Sequence, residues 1–533
     1  MKKIIGALAL FAALATQSAG AQDRPTIYRG GPIVTMDGDT PHLAKAVVAS
    51  DGKIIFVGEE KGARRAMAGG LDLWDKSLPA VTDIASLQGV IRDFIARRAI
   101  PKGGWVVVWQ YNDEALKERR HITRAELDAV SPDHKIVLLH ISLHGLVANS
   151  AALAAAGLSD ASQPPPGGLM LRDDAGRLNG VLLEKAMYQM LPAMPQPTAE
   201  QKLAMLDAAQ ARYFAEGYTH AQDGATSPAD LGFFTSDAAR ARLKIDLALL
   251  PIYTSLDALL AKPDIQFRTY QDHVKIEGVK FILDGSPQAR TAYFTRDYER
   301  GSPSGDHPWH GQPIVSQEEF DTLARKVNDR GWQIFVHANG DAAIDMAIKG
   351  FDALGIKAAD DRRPIVIHSQ FQRPDQLPAS ARMGVGPAYF SNHTWYWGDV
   401  HRSNFPKEVV DFISPFRAAR EAGLIASNHS DFSVTPLDTR FMLWTSMARV
   451  SPTGVVAGAD QRLDAYAGLQ ALTTGPAWQV FEENRKGRIK AGLLADFVIL
   501  DKNPLASPVD AIKDIKVVET VKEGRTVWKA STD

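Results

Sequence analysis

Four polar residues share one kind of position, since each lies within or directly after a short apolar run. They are Lys280, His337, His368 and Asp431. Neutral imidazoles and a carboxylate supply the nitrogen and oxygen donors that suit zinc or a similar divalent ion. A catalytic ion keeps one position for water and lowers the pKa of that water towards neutrality. An aspartate at the edge of the site can take the proton, so these residues predict metal-assisted hydrolysis.

Each of these residues also has a plainer interpretation when it is taken alone. A single histidine at a strand end is more often a hydrogen-bonded core residue than a metal ligand. Lys280 in an apolar strand is costly as an ammonium, so it is modified, neutral or paired, for example with Asp284. Asp431 could simply cap a turn. Their order along successive apolar runs favours the metal site over the separate interpretations.

The elements that must position these residues follow from an alternation of apolar runs and helical stretches. The clearest pairs are Trp105–Trp109 and Ile276–Leu283 for strands, with Gln201–Glu216 and Gln317–Arg330 for helices. Strand-then-helix repetition predicts a parallel α/β fold, and a (β/α)₈ barrel is its simplest closed form. Active sites of such barrels lie at the carboxyl ends of the strands, which is where the four residues stand.

The two ends of the chain have a different pattern. Residues 26–58 contain β-branched runs separated by Asp51-Gly52, a strong hairpin signal, and residues 487–529 repeat the style. We therefore predict a small composite β-sandwich domain formed by residues 22–66 and 483–533. The barrel would then occupy residues 67–482.

The first 21 residues have the pattern of a secretory signal peptide. Lys2 and Lys3 precede an apolar run, and Ala19-Gly20-Ala21 offers a cleavage site before Gln22. This predicts a periplasmic or secreted protein, with an uncleaved membrane anchor as the alternative. No other stretch approaches the length of a membrane helix, so stable insertion is not expected.

Composition excludes several kinds of chemistry. The chain has no cysteine, which rules out disulfides, thiolate nucleophiles and cysteine-bound metals. Its formal net charge of −2 gives no sign of a nucleic-acid partner. We expect a small-molecule substrate, and a homodimer is compatible with the sequence.

Several segments together resemble the amidohydrolase superfamily, and specifically its amidohydrolase 3 branch, which includes enzymes similar to N-substituted formamide deformylase. The resemblance runs from about residue 26 to 529. The matching segments are Gly278–Lys280, Asp284–Ser286, Arg290–Ala292, His337–Asp345, Ile367–Gln370, Asn428–Asp431, His144 with Asn149–Leu153, Pro166–Gly168, Gly180–Leu182 with Glu184, and Gly487–Asp496.

The resemblance implies a role for each candidate residue. Lys280 would be carbamylated by CO₂ and would bridge two metal ions, with His337 and His368 as further ligands. Asp431 would be both ligand and general base. The substrate pocket would be lined by Tyr111, His144, Arg290 and His393. For His144 and His393, substrate contact and structural hydrogen bonding both stay open.

One departure from the family pattern changes these expectations. Family members carry His-x-His on the first barrel strand, and this chain has no His-x-His anywhere. After Ala66–Gly70 it passes straight to Leu71–Lys76, so the barrel is expected to lack its first strand. Leu71–Trp74 is a poor substitute, being short and without a histidine. We therefore predict one ion at most, held by Lys280, His337 and His368.

The resulting functional hypothesis is hydrolysis of a carbon–nitrogen bond in an amide, formamide or cyclic amide by metal-activated water. The aromatic residues around 394–397, with Trp105, Trp109 and Tyr111, suggest a fairly large apolar substrate. The main alternative is a catalytically impaired or inactive relative that binds or regulates. A periplasmic solute-binding protein is a weaker alternative, because such proteins need two hinged lobes.

Overall fold

A computed structural model of the chain describes residues 26–34, 43–50, 53–58, 71–73, 78–195, 197–262, 265–490 and 492–530. The predicted signal peptide, residues 1–21, lies outside the described residues. The same holds for residues 59–70, which join the N-terminal strands to the rest of the chain.

The strands of the described residues fall into five sheets. They are β1 (Thr26–Val34), β2 (Leu43–Ser50), β3 (Lys53–Gly58), β4 (Leu71–Asp72), β5 (Trp105–Tyr111), β6 (Lys135–His140), β7 (Gly145–Ala148), β8 (Gly168–Arg172), β9 (Leu178–Glu184), β10 (His220–Thr226), β11 (Asp246–Pro251), β12 (Val274–Ile276), β13 (Gly278–Ile282), β14 (Gln333–Ala338), β15 (Ile365–His368), β16 (Gly386–Tyr389), β17 (Ser427–Asn428), β18 (Phe497–Leu500), β19 (Val517–Lys522) and β20 (Arg525–Lys529).

The α-helices lie mostly between the strands of the second half of the chain. They are α1 (Ile84–Arg97), α2 (Arg124–Asp128), α3 (Ser150–Ala155), α4 (Ala199–Ala215), α5 (Pro228–Phe234), α6 (Asp237–Arg240), α7 (Leu256–Leu260), α8 (Gln317–Asp329), α9 (Asp341–Ala353), α10 (Gln376–Arg382), α11 (His393–Tyr396), α12 (Gly398–Asn404), α13 (Lys407–Asp411), α14 (Phe416–Glu421), α15 (Thr439–Ala448), α16 (Ala465–Leu472) and α17 (Thr474–Gln479). Over the described ranges, none is both long and apolar enough to cross a membrane.

Parallel strands form the part of the fold that carries the candidate site. One sheet has the order β10-β11-β12 and another the order β13-β14-β15-β16-β17, with every pair parallel. Only Glu277 separates β12 from β13, and a parallel bridge between Ile252 and Lys280 continues the row. The predicted parallel α/β architecture is confirmed.

The row of parallel strands does not close into a barrel within the described residues. No strand pairing joins β17 back to β10 there, which is where a first barrel strand would lie. β4, formed by Leu71 and Asp72, pairs with β5 in a separate six-stranded mixed sheet, order β4-β5-β6-β7-β9-β8. Leu71 and Asp72, the described strand residues of the predicted substitute segment, therefore do not replace the missing strand in the row.

The two chain ends form separate three-stranded antiparallel sheets, β1-β2-β3 and β18-β19-β20. In the part of the chain that the structure describes, no ladder pairs one sheet with the other. The hairpin content predicted at both ends is confirmed, whereas their union in one β-sandwich stays a prediction.

Helices cover the outer face of the parallel strands and bury their apolar sides there. Ser316 caps α8 by accepting a hydrogen bond from the amide of Glu319, so the helix starts directly after a loop. Phe320 of α8 and Phe351 of α9 are buried and pack edge to face, with ring centroids 6.4 Å apart. Both rings belong to the apolar cluster that also includes residues of β14, the strand that carries His337.

Candidate active site

Lys280, His337 and His368 lie on three neighbouring parallel strands. The register pairs Ile282 of β13 with His337 and Ala338 of β14 with His368, so both histidines stand at the same end of the row. All three side chains are buried. The tertiary fold thus brings together residues that the sequence places at separate strand ends.

Four imidazole rings form a continuous row at these strand ends. The ring centroids of His337 and His368 are 4.5 Å apart. His144 lies 5.0 Å from His337 at one end, and His429 lies 4.9 Å from His368 at the other. His429 is a site residue that sequence reasoning missed, although it belongs to the segment Asn428–Asp431 that was singled out.

Burial keeps the central rings of this row neutral. It lowers the pKa of His337 and of His368 well below the ordinary value, and nearby cationic groups add to the effect. Burial also lowers the pKa of His429 to about 4. Neutral imidazoles keep a lone pair, which is the form that binds a metal ion.

Lys280 is a buried amine between two carboxylates. Burial lowers its pKa to about 8, although Asp431 and Asp223 act in the opposite direction. No hydrogen bond or ion pair of its amine is found among the residues described. Asp223, on β10, is a second residue that the sequence analysis missed.

Asp284 does not pair with Lys280, which removes the plain interpretation of that lysine. Its carboxylate instead accepts hydrogen bonds from the backbone amides of Asn339, Gly340 and Tyr293 at 2.8–3.0 Å. Burial raises the pKa of Asp284 to about 7 against the effect of these amides. Asp284 therefore holds the turn that follows His337.

Two ring nitrogens of the row are buried without a hydrogen-bond partner in the described residues, namely His368 Nδ1 and His429 Nε2. Orphaned buried nitrogens are uncommon and point to an ion or water that completes them. Together with the neutral imidazoles and the amine of Lys280, they form a donor set that fits a divalent metal ion.

Some of the left-handed backbone conformations of the described residues lie at the strand ends near the histidine row. Four residues other than glycine have left-handed φ values there: His368 (71°), Ser369 (44°), Asp431 (48°) and Glu184 (52°). Such conformations cost of order 1–3 kcal/mol each and cluster at functional sites. Their coincidence with the histidine row supports a site selected for geometry.

His144, at one end of the row, is held by a carboxylate. Its Nδ1 lies 2.9 Å from Glu184 Oε2. Burial alone would lower the pKa of His144, but the Glu184 carboxylate outweighs this and the pKa is raised. Glu184 is a third residue of this region that sequence reasoning left without a role.

The other predicted pocket residues are engaged in structural contacts. Tyr111 is fully buried and its hydroxyl accepts a hydrogen bond from the Ile122 amide at 2.9 Å. The guanidinium of Arg290 donates to the carbonyl of Ser302 and lies 3.5 Å from Glu114. His393 Nδ1 is 3.0 Å from His401 Nε2. Their contact with substrate stays a prediction.

A more compact group of donors lies elsewhere. Asp246, His273 and Glu523 have donor atoms within 4.8 Å of one another, which is not true of His337, His368 and Asp431. Asp246, however, begins β11 and so stands at the opposite end of the strands, where it pairs with Lys486 and Lys522. These two ammonium groups already neutralise the carboxylate, so we interpret the group as an ion-pair network.

Comparison with known proteins places most of the chain in one family. The model of the amidohydrolase family matches residues 67–528. The chain is 25% identical over 521 residues to the N-substituted formamide deformylase of Arthrobacter pascens, covering 90% of this chain and 94% of that protein. It is 24% identical over 496 residues to YtcJ of Bacillus subtilis (strain 168), covering 91% and 90%.

Solved structures show the same fold. An uncharacterized metal-dependent hydrolase from Pyrococcus horikoshii OT3 superposes with a TM-score of 0.63 at 21% identity, covering 88% of this chain and 96% of that chain. A second one, from Pyrococcus furiosus, has a TM-score of 0.60 at 19% identity, covering 87% and 96%.

Proposed function

The chain belongs to the amidohydrolase family and is a hydrolase by that membership; on that premise we propose that it cleaves a carbon–nitrogen bond other than a peptide bond, in an amide, formamide or cyclic amide. One observation carries the proposal: the imidazole rings of His337 and His368 are adjacent, with centroids 4.5 Å apart, and the amine of Lys280 is buried near them. The formamide deformylase of Arthrobacter pascens supports the choice of bond.

The residues that would hold a divalent ion, for which we propose zinc, are His337, His368 and Lys280. The lowered pKa of Lys280 increases the fraction of its side chain that is a neutral amine. The neutral amine is the form that adds CO₂ and, on losing a proton, becomes an anionic carbamate. When bound, the ion would polarise the substrate carbonyl and lower the pKa of a water molecule. Buried neutral imidazoles suit this role.

Asp431 has the proton-transfer role in this proposal. It follows the short strand β17, and its charge acts on both Lys280 and His429. From that position its carboxylate can take a proton from water and return it to the leaving nitrogen. The backbone of Asp431 is left-handed, with φ 48°, a conformation of a kind that clusters at functional sites.

The substrate preference suggested by the aromatic loop needs revision. Trp397 is fully buried and packs with Phe390, Val400 and Val434, so it belongs to the core and is not free to contact a ligand. Leu143 beside His144, and Tyr188 near Glu184, are exposed instead. We therefore propose that a modest apolar rim, not an aromatic loop, meets the substrate.

A direct test combines turnover with metal content. Purified protein is equilibrated with zinc and offered a panel of N-acyl amines, formamides and cyclic amides, with matched esters as a comparison. Hydrolysis of at least one carbon–nitrogen bond that stops on chelation, and returns with zinc, supports the proposal. Metal-bound protein that hydrolyses none of the carbon–nitrogen substrates refutes the choice of bond.

A second candidate, an impaired relative that binds without turnover, is favoured by one specific observation. The chain has no His-x-His, and in the described residues no strand joins β17 to β10. Loss of metal ligands lowers metal affinity steeply. Calorimetry with the same amide panel separates the candidates, because saturable binding without product formation would identify a binding protein.

A further inference from the structure

We propose that Glu184 is a positioning residue that orients His144 so that the Nε2 edge of its ring faces the scissile amide. The inference rests on the proposed function and adds a specific residue pair to it. Glu184 Oε2 lies 2.9 Å from His144 Nδ1. A carboxylate on one ring nitrogen fixes both the tautomer and the ring plane, and leaves the other nitrogen for the ligand.

The backbone reinforces this arrangement. The amide of Glu184 donates a hydrogen bond to the carbonyl of His144 at 2.8 Å, next to the antiparallel pairing of β7 with β9. Glu184 is the last residue of β9 and has a φ of 52°. The pair is therefore joined twice, and the backbone of Glu184 is held in a left-handed conformation that its surroundings must stabilise.

The second oxygen of Glu184 packs against the loop after β13. A Cβ placed on Gly285 would lie 2.1 Å from Glu184 Oε1 and 2.3 Å from the hydroxyl of Thr291. A glycine is therefore required for the carboxylate to reach His144. The carbonyl of Gly285 also lies 3.3 Å from His337 Nε2, so Glu184 is built into the wall of the site.

The ring of His144 lies at one end of the histidine row, next to His337. The ring centroids of His144 and His337 are 5.0 Å apart, and His144 Nε2 has no hydrogen-bond partner within the described part of the chain. The side chain is 19% exposed, while Glu184 is 5% exposed. Nδ1 is thus bound to a carboxylate in the protein interior, and the side chain keeps some exposure, as does its neighbour in the chain, Leu143.

A purely structural link between β7 and β9 is the competing explanation, and a double-mutant cycle separates the two. If Glu184 acts through His144, Glu184→Ala lowers kcat about 10–100-fold, as for other outer carboxylates that orient histidines. KM should change little. His144→Ala should lower kcat to a similar extent, and the double variant should be no slower than His144→Ala alone. Glu184→Gln should recover much of the rate, because its amide oxygen still accepts the Nδ1 proton.

Two further readouts complete the experiment. Asp297→Asn, in the exposed pair between Asp297 and His310, serves as the control and should leave kcat unchanged. Metal content should be the same in all variants, since loss of metal in His144→Ala would make His144 a ligand and overturn the proposal. Additive losses in the cycle would also overturn it.

A measurement without substrate keeps the inference independent of the proposed function. In metal-free protein with ¹⁵N-labelled histidine, His144 should give an Nδ1-bound proton resonance that disappears in Glu184→Ala and persists in Asp297→Asn. If no amide is hydrolysed but this signature holds, the proposed function fails and the orienting role stands. If the resonance is unaffected by Glu184→Ala, the orienting role is refuted.

Discussion

Gln110 of β5 donates a hydrogen bond from its Nε2 to the backbone carbonyl of Ser433 at 3.1 Å, two residues beyond Asp431. The contact ties the six-stranded mixed sheet to the loop that carries the proposed general base. Gln110 is buried and has a φ of 65°, so its side chain is directed by an unusual backbone conformation. The two halves of the chain thus meet beside the candidate site.

The first prediction concerns this contact. Gln110→Asn tolerates the left-handed backbone but is too short to reach Ser433. We expect a loss of about 1 kcal/mol in the free energy of unfolding, as for one hydrogen bond, and slower turnover because the Asp431 loop loses a support. Urea unfolding and steady-state kinetics check this.

The control is Gln88→Asn, which removes the hydrogen bond from Gln88 to the Glu126 carbonyl. It should lower stability without slowing turnover. Equal kinetic effects in both variants would contradict the prediction.

The second prediction concerns metal binding. Wild-type protein saturated with zinc should hold at most one ion, and His337→Ala or His368→Ala should each lower that content, since both remove a donor. Inductively coupled plasma mass spectrometry measures this. His273→Ala is the matched control, because His273 belongs to the compact group at the opposite strand ends. Two ions in the wild type would contradict the prediction of a single ion. A loss confined to His273→Ala would place the metal at the opposite strand ends.

The third prediction is a pH dependence of stability. Burial raises the pKa of Glu277 to about 7, although Lys275 opposes the shift. The folded state therefore favours the protonated form, and this stabilising contribution is full below about pH 4.5 and is lost as the pH rises through about 7. Glu277→Gln cannot ionise, so its melting temperature relative to wild type should rise between pH 5 and pH 8.

Thermal scans at both pH values test this, with Glu421→Gln as the control. Glu421 is exposed, and among the described residues its one ion pair is with Arg417. The difference in melting temperature between Glu421→Gln and wild type should be the same at both pH values. A constant difference for Glu277→Gln as well would show that Glu277 is ionised throughout this range.

The fourth prediction concerns the composite domain. Phe497 and Ile499 of β18, which lie two residues apart on the same face of the strand, are both partly exposed, and an exposed apolar surface of this kind is usually covered. We expect the N-terminal strands to cover it. Because the chain has no cysteine, Ile499→Cys introduces a single thiol, which should react slowly with a maleimide in the folded protein. Leu505→Cys, at an exposed position, should react fast, and equal rates would argue against the composite domain.

The fifth prediction concerns export. If residues 1–21 are a signal peptide, protein recovered from the periplasmic fraction should begin at Gln22. N-terminal sequencing decides this. A mature chain that begins at Met1, or that stays with the membrane fraction, would favour the uncleaved anchor.

The sequence alone was enough to predict the parallel α/β fold and the positions of Lys280, His337 and His368. Both follow from local patterns, because a polar residue within or directly after an apolar run marks a position on a strand or at its end. The register agrees with this for the histidines, since Ile282 pairs with His337 and Ala338 with His368, whereas Lys280 lies in the middle of β13. The absence of His-x-His is likewise a fact of the sequence.

Only the tertiary structure decided how these strand ends are surrounded. It placed His144 and His429 at the two ends of the histidine row, set Glu184 behind His144, and engaged Asp284 with backbone amides instead of with Lys280. It also buried Tyr111 and Trp397, which the sequence suggested as ligand contacts. Contacts of this kind join segments far apart in the chain, so they depend on strand order and loop path, which no local pattern of side chains encodes.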